Sequence, residues 1–175
     1  MESVELLVRL KIPDVTALTA AGALRRRMGY AEVLKSLKRA DYFRLQLNVP
    51  DSAAAIELAT ELAEKTNVFV NPNKHVYEVR AGSHQAVAES DGRHVVQVLV
   101  TDPTDGSAAG TLSALQGRLG YGERVTGLVK GVLWSLELAC ESRARAEELA
   151  REIAVTTARD QGLLLNPHFQ ECEIW

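Results

Sequence analysis

Along the first copy of a pattern that later recurs, apolar positions switch between periods of two and of about 3.6. Val4, Leu6, Val8 and Leu10 alternate with Glu5, Leu7, Arg9 and Lys11, which predicts a strand with one buried face. Pro13-Asp14 ends it. From Thr16 to Met28 the apolar residues Ala17, Ala21, Leu24 and Met28 fall at helical spacing, and Gly29 stands where a glycine closes a helix. Val33 to Val49 reads as a second strand region. Its latter part places Phe43, Leu45, Leu47 and Val49 on one face and Tyr42, Arg44, Gln46 and Asn48 on the other, while Lys35, Lys38 and Arg39 weaken the pattern before it. Pro50-Asp51-Ser52 opens a second helix, with Asp51 or Ser52 able to cap its free amides. Ala55, Leu58, Ala59, Leu62 and Ala63 form its apolar stripe, Asn71-Pro72 stops the segment, and His75 to Arg80 is a last strand. The order is β-α-β-α-β. A bent or split middle strand would turn it into a ferredoxin-like β-α-β-β-α-β.

The same order then recurs at a constant offset of 91 over most of its length. Met28-Gly29-Tyr30 meets Leu119-Gly120-Tyr121, Glu32 meets Glu123, Leu37 meets Leu128, and Phe43 meets Trp134. Leu45-Gln46-Leu47 meets Leu136-Glu137-Leu138, and Ala108, Leu112, Leu115 and Leu119 repeat the first helix. Val95 to Val100 is a near-continuous apolar strand, Ser107 to Leu119 a helix, and Leu128 to Leu138 the middle strand. The second helix stripe is Ala146, Leu149, Ala150, Ile153 and Ala154. Asn166-Pro167 follows Asn71-Pro72 by 95 positions, so four residues are added near Val155 to Gln161, about one extra helical turn. A period near 90 residues is too long for a solenoid repeat of about 20–50. It predicts a small domain duplicated and fused: residues 1–80 and 94–175 as the two copies, with the small, polar stretch 81–93 as linker. The expected fold class is α+β, two tandem β-α-β-α-β halves whose antiparallel sheets pack as a pseudo-dimer.

Composition narrows the function classes. Each copy is of a size that buries only about 60% of its unfolded surface, so packing the copies together is the economical arrangement. With 46% hydrophobic and 25% charged residues the chain reads as a soluble globular protein, and a net charge of -3 gives no general excess of cations for nucleic acid. Arg25-Arg26-Arg27 fan over about 200° of a helix, which excludes a single phosphate clamp. They read as a solvated face, or else as a protein or anion contact. Met1 to Glu5 lacks the basic and apolar regions of a signal peptide, and no apolar run reaches about 18 residues, so a cytoplasmic, membrane-free protein is expected. Cys140 and Cys172 lie only in the second copy without metal or redox spacing, and read as reduced structural thiols.

A search for reactive groups yields none that both copies keep. There is no phosphate-binding glycine loop, no H-E-x-x-H and no C-x-x-C. Gly120-Tyr121-Gly122 follows a helix and reads as its termination. The histidines are His75, His84, His94 and His168; His75 aligns with Gln170 and His168 with Asn73, which excludes a duplicated histidine site. Asp102-Pro103-Thr104-Asp105-Gly106 reads as a turn, with a ligand-contacting loop as the alternative. Asn-Pro does recur, after Val68-Phe69-Val70 and after Leu163-Leu164-Leu165, and is followed by Glu78-Val79 and Glu173-Ile174.

Those last segments resemble the C-terminal signature of PurS, L-L-A-N-P-x-x-x-x-Y-E-[IV], and Tyr77-Glu78-Val79 carries its end in the first copy. The middle is also similar: Leu-Gly-Phe/Tyr closing the first helix, then V-R-x-G-K-Y-x-E-L, here Leu37 to Leu45 and Leu128 to Leu136. The family's D-P-x-G loop is absent from the first copy and rearranged in the second, and its glycine before the middle strand is Ala40. The resemblance covers nearly all of each copy, although an ordinary PurS is a single unit of about half this length. It implies the small, non-catalytic subunit of phosphoribosylformylglycinamidine synthase. That complex makes the amidine from formylglycinamide ribonucleotide with ATP and glutamine-derived ammonia, in purine biosynthesis. It further implies partners in the synthetase (PurL-type) and glutaminase (PurQ-type) subunits, possible homo-oligomers, and no catalytic, cofactor or metal site in this chain. Two other readings stand beside it: a small-molecule sensor built from paired α+β units with ligand held between them, and a stand-alone PurS-shaped oligomer.

Overall fold

The computed structural model describes residues 1–82, 84 and 92–175; most of the expected linker, 81–93, lies outside the described residues. The elements follow the sequence pattern closely: β1 (Glu2–Leu10), α1 (Val15–Arg27), β2 (Leu34–Leu47), α2 (Ser52–Lys65), β3 (His75–Ala81), then β4 (Arg93–Thr101), α3 (Ser107–Gln116), β5 (Val125–Ala139), α4 (Arg143–Ala154) and β6 (Glu171–Ile174). Both middle strands are unbroken, so the order is β-α-β-α-β twice. The strands form one antiparallel sheet in the order β3-β1-β2-β5-β4-β6. Where the pattern predicts two sheets, the strands of both copies therefore share one, joined through β2 and β5. Asn48 N donates to Arg124 O, and at the other end of the pair Ala139 N donates to Val33 O, both at 2.9 Å.

Local chemistry explains the element ends. Asp14 Oδ1 accepts from Thr16 N at 2.9 Å and Ala17 N at 3.1 Å, starting α1, and Asp51 Oδ1 accepts from Ala54 N at 2.8 Å, starting α2. Gly29 and Gly120 have φ of 81° and 76°, the left-handed conformation that a side chain resists. The following residue closes each helix by the same long bond, Tyr30 N to Leu24 O at 3.2 Å and Tyr121 N to Leu115 O at 2.9 Å.

The chain resolves into two compact units that cut across the two sequence copies. Unit 1 comprises Met1–Ile12, Ala40–Gln85 and Thr104–Gly131. Its core joins Val4, Leu6 and Val8 of β1, Leu45 and Leu47 of β2, the α2 stripe and Phe69 and Val70 to Leu115 and Val125 from the second copy. Unit 2 comprises Pro13–Arg39, Ala86–Pro103 and Val132–Trp175. There Ala17, Ala21 and Leu24 of α1, with Leu34 and Leu37, pack among Val96, Val98 and Val100 of β4, Trp134, Leu136 and Leu138 of β5, and the α4 stripe. Each unit thus completes its core with the first helix of the other copy. Phe43 and Trp134, expected at equivalent places, sit on β2 and β5 against the cores of units 1 and 2 respectively.

Two details depart from the constant offset. Val96, Val98 and Val100 take the core roles of Val4, Leu6 and Val8, an offset of 92, so one residue fewer separates β4 from its helix. The four added residues do not extend α4. It stops at Ala154, Val155 is extended with φ -83° and ψ 116°, and the segment folds back through bridges Val155–Leu165 and Ala158–Gln161. Two β-branched threonines, Thr156 and Thr157, suit this extended path better than another helical turn. Gly162, at φ 73°, is packed so closely that a Cβ there would run into Val155 O.

Candidate functional site

The two Asn-Pro turns are the most closely matched polar features of the copies. Asn71 Oδ1 accepts from Asn73 N, and Asn71 O accepts from Lys74 N and His75 N, at 2.8–3.0 Å. Asn166 repeats this with His168 N, Phe169 N and Gln170 N at 2.9–3.2 Å. The residue four on then returns the bond: His75 Nδ1 accepts Asn71 N at 3.2 Å, and Gln170 Oε1 accepts Asn166 N at 2.9 Å. His75 and Gln170 therefore hold one structural job with different acceptors. The alignment of a histidine with a glutamine, which argues against a duplicated reactive site, has this physical meaning. His75→Gln is expected to keep stability within about 0.5 kcal/mol, whereas His75→Ala loses about 1 kcal/mol, read from denaturant midpoints.

The remaining sequence candidates do not converge. Arg25 Nε donates to Leu34 O at 2.8 Å and its Nη2 to Lys35 O, so it braces the start of β2. Arg26 instead lies back over Gly22, where a Cβ would meet its Nη2 at 2.7 Å. The three arginines occupy the last turn of α1, where cations favour the helix dipole, and they do not act together. In the Asp102–Gly106 loop, Asp105 accepts from Ser107 N at 2.8 Å and Ser107 Oγ at 2.6 Å. The Ser107 hydroxyl first, and its amide second, hold the Asp105 carboxyl below its ordinary range. It is a helix-entry turn. Cys140 and Cys172 are free, half-buried thiols against the unit 2 core, and burial pushes Cys172 up. Among the described residues no three His, Cys, Asp or Glu side chains group as metal ligands, and no helix is long and apolar enough to cross a membrane.

The sheet holds a polar cluster that the sequence reading passed over. Glu5 is 1% exposed. Its Oε1 accepts from the Tyr42 hydroxyl at 2.7 Å and from His84 N at 3.3 Å, and Arg44 Nε donates to the Tyr42 oxygen at 2.9 Å. Glu5 Oε2 has no hydrogen-bond partner among the described residues. In β4 the buried Gln97 takes the same place, accepting from Ser135 Oγ at 2.8 Å. The 92-residue offset makes Glu5 and Gln97 equivalent, and that shift is what hides the pair from a reading at 91. Burial first, and then the Glu5 carboxylate, raise the Tyr42 phenol well above its usual range. The fold thus holds this proton more tightly than the unfolded chain does. The contribution is whole below the unfolded phenol's pKa of about 10 and declines as pH rises above it. Tyr42→Phe removes that alkaline slope and, by depriving a buried carboxylate of its strongest donor, costs about 2 kcal/mol at neutral pH; unfolding curves from pH 7 to 11 measure both.

None of these groups pairs a nucleophile with a base, and what the copies share is packing, glycine turns and Asn-Pro turns. Comparison with known families gives a match over residues 3–83 to the PurS model, described as phosphoribosylformylglycinamidine (FGAM) synthase. No curated protein and no solved structure matches. Residues 3–83, a little under half of the chain, are thus similar to PurS, a family of FGAM synthase in purine biosynthesis, and the 175-residue length fits a tandem duplication of that unit.

Proposed function

We propose that this PurS-like chain is a non-catalytic bridging subunit of the FGAM synthase complex, contacting a PurL-type synthetase and a PurQ-type glutaminase. The match of residues 3–83 to the PurS family carries the reading. The exchange of first helices supports it. Each unit draws its core from both copies, so one polypeptide furnishes what two separate single-copy subunits would furnish by pairing. Fusing two modules in one chain holds each near the other at an effective concentration of about millimolar. In this role the chain contributes surface and spacing, and the chemistry of amidine formation belongs to its partners.

Affinity-tagged chain, expressed with the synthetase and glutaminase subunits, should recover both in a fixed ratio when the complex is loaded with glutamine and nucleotide. Recovery of neither, under conditions where the two partners are folded and active, contradicts the proposal.

A further inference from the structure

The two units are alike where the exchanged helix ends, except that one is tied shut. In unit 1 the Tyr121 hydroxyl donates to Glu61 Oε1 at 2.9 Å. Arg124 stands 3.8 Å from Glu61 Oε2 and lies 5.8 Å from the centre of the Tyr121 ring. These contacts bind the turn after α3 to α2.

In unit 2 the equivalent residues are Tyr30, Glu152 and Val33, and the tie is absent. The Tyr30 hydroxyl makes no hydrogen bond among the described residues, and valine replaces the guanidinium. Glu152 instead shares Arg145 with Glu148, at 3.4 Å. The space left open is a cavity of about 530 Å³ lined by Tyr30, Arg151, Glu152, Val155, Thr157 and Gln161.

Its lining differs from the first copy in one direction. Arg151 replaces Thr60 and, among the described residues, has no carboxylate at ion-pair distance. Thr157 and Gln161 belong to the segment lengthened by four residues. The Thr157 hydroxyl and Gln161 Oε1 lie 3.0 Å apart, which fixes the amide and leaves its NH₂ group as donor. The volume suits a small organic molecule rather than a single ion. One guanidinium and one carboxylate share the wall, so a ligand of a single charge sign would meet one repulsive neighbour. A ligand carrying both signs meets none.

We propose that this cavity binds a small zwitterion of the α-amino acid class, its carboxylate on Arg151 and the Tyr30 hydroxyl and its ammonium on Glu152. The amide of Gln161 and the Val155 side chain then face the ligand's side chain. This site stands apart from the assembly role, since it lies wholly within unit 2 and needs no partner subunit.

The test is amide NMR of the full chain titrated with L-alanine, L-glutamine and L-arginine, and with acetate and ethylamine as single-charge controls. At least one amino acid should shift Tyr30 and residues 151–161 with millimolar or tighter affinity, and both controls should bind at least about tenfold more weakly. Arg151→Thr, which installs the residue of the first copy at an exposed position, and Glu152→Gln should each weaken binding about tenfold while leaving the thermal midpoint near that of the parent. No shift with any amino acid at about 10 mM overturns the proposal, as does acetate binding as well as the amino acids, or unchanged affinity in both variants.

Discussion

Leu24→Ala is expected to destabilise the protein by about 3 kcal/mol and to loosen β4 and α4, which belong to the other copy, rather than β1 and α2 of its own. Leu24 is 0% exposed and lies in the core built from Val96, Val98, Val100, Leu136 and Leu149. Removing its three terminal carbons leaves a void that those neighbours line, and large-to-small changes at such sites cost about 2–5 kcal/mol. Leu115→Ala is the mirror experiment. Leu115 is also 0% exposed, among Val4, Leu6, Leu45 and Leu58, so its truncation should loosen β1 and α2. Hydrogen exchange followed by residue reads both directions at once. Loosening confined to the mutated copy in each case would contradict the exchange of helices.

Separating the copies should have the larger effect. Expressed alone, residues 1–82 carry α1 with Ala17, Ala21 and Leu24 but none of the β4, β5 and α4 side chains that bury them. The same fragment lacks Leu115 and Val125 from the unit 1 core. The fragment should not fold as a monomer, and residues 92–175 alone should fail for the reciprocal reason. Mixed at equal concentration the two should recover helical and sheet signal together. At about 10 μM each they lose the advantage of a tether worth about millimolar, roughly 2.7 kcal/mol. Sedimentation with circular dichroism over a dilution series tests this. A cooperative, monomeric fold of residues 1–82 alone would refute it.

Much of the architecture is legible in the chain because each buried face imposes its own period. The α2 and α4 stripes, the β2 face of Phe43, Leu45 and Leu47, and the left-handed Gly29 and Gly120 all stand where the pattern puts them. The helix exchange is not legible. Ala17, Ala21 and Leu24 show that a face is buried, yet the same spacing serves whether the covering sheet comes from their own copy or the other. The first part of β2 is ambiguous for a related reason. Leu34, Leu37 and Ala40 are buried at intervals of three, not two, where the strand leaves unit 2 for unit 1.

The extra residues near Val155 look helical only if length alone is counted; the threonine pair and the close-packed Gly162 argue for the folded-back loop. The Glu5 and Gln97 positions are hidden by phase. A near-continuous apolar β4 gives no alternation with which to detect a shift of one residue. That polar pair and the open Tyr30 cavity are what sequence reasoning missed. Both come from differences between copies, which become visible once equivalent positions are fixed in space.

The proposed role, joining the chemistry-bearing subunits of FGAM synthase, is measured directly by glutamine-dependent amidine formation. With synthetase and glutaminase at low, equal concentration, adding the chain should raise the glutamine-dependent rate at least about tenfold and leave the rate with free ammonia unchanged. Equal glutamine-dependent rates with and without the chain would contradict the account.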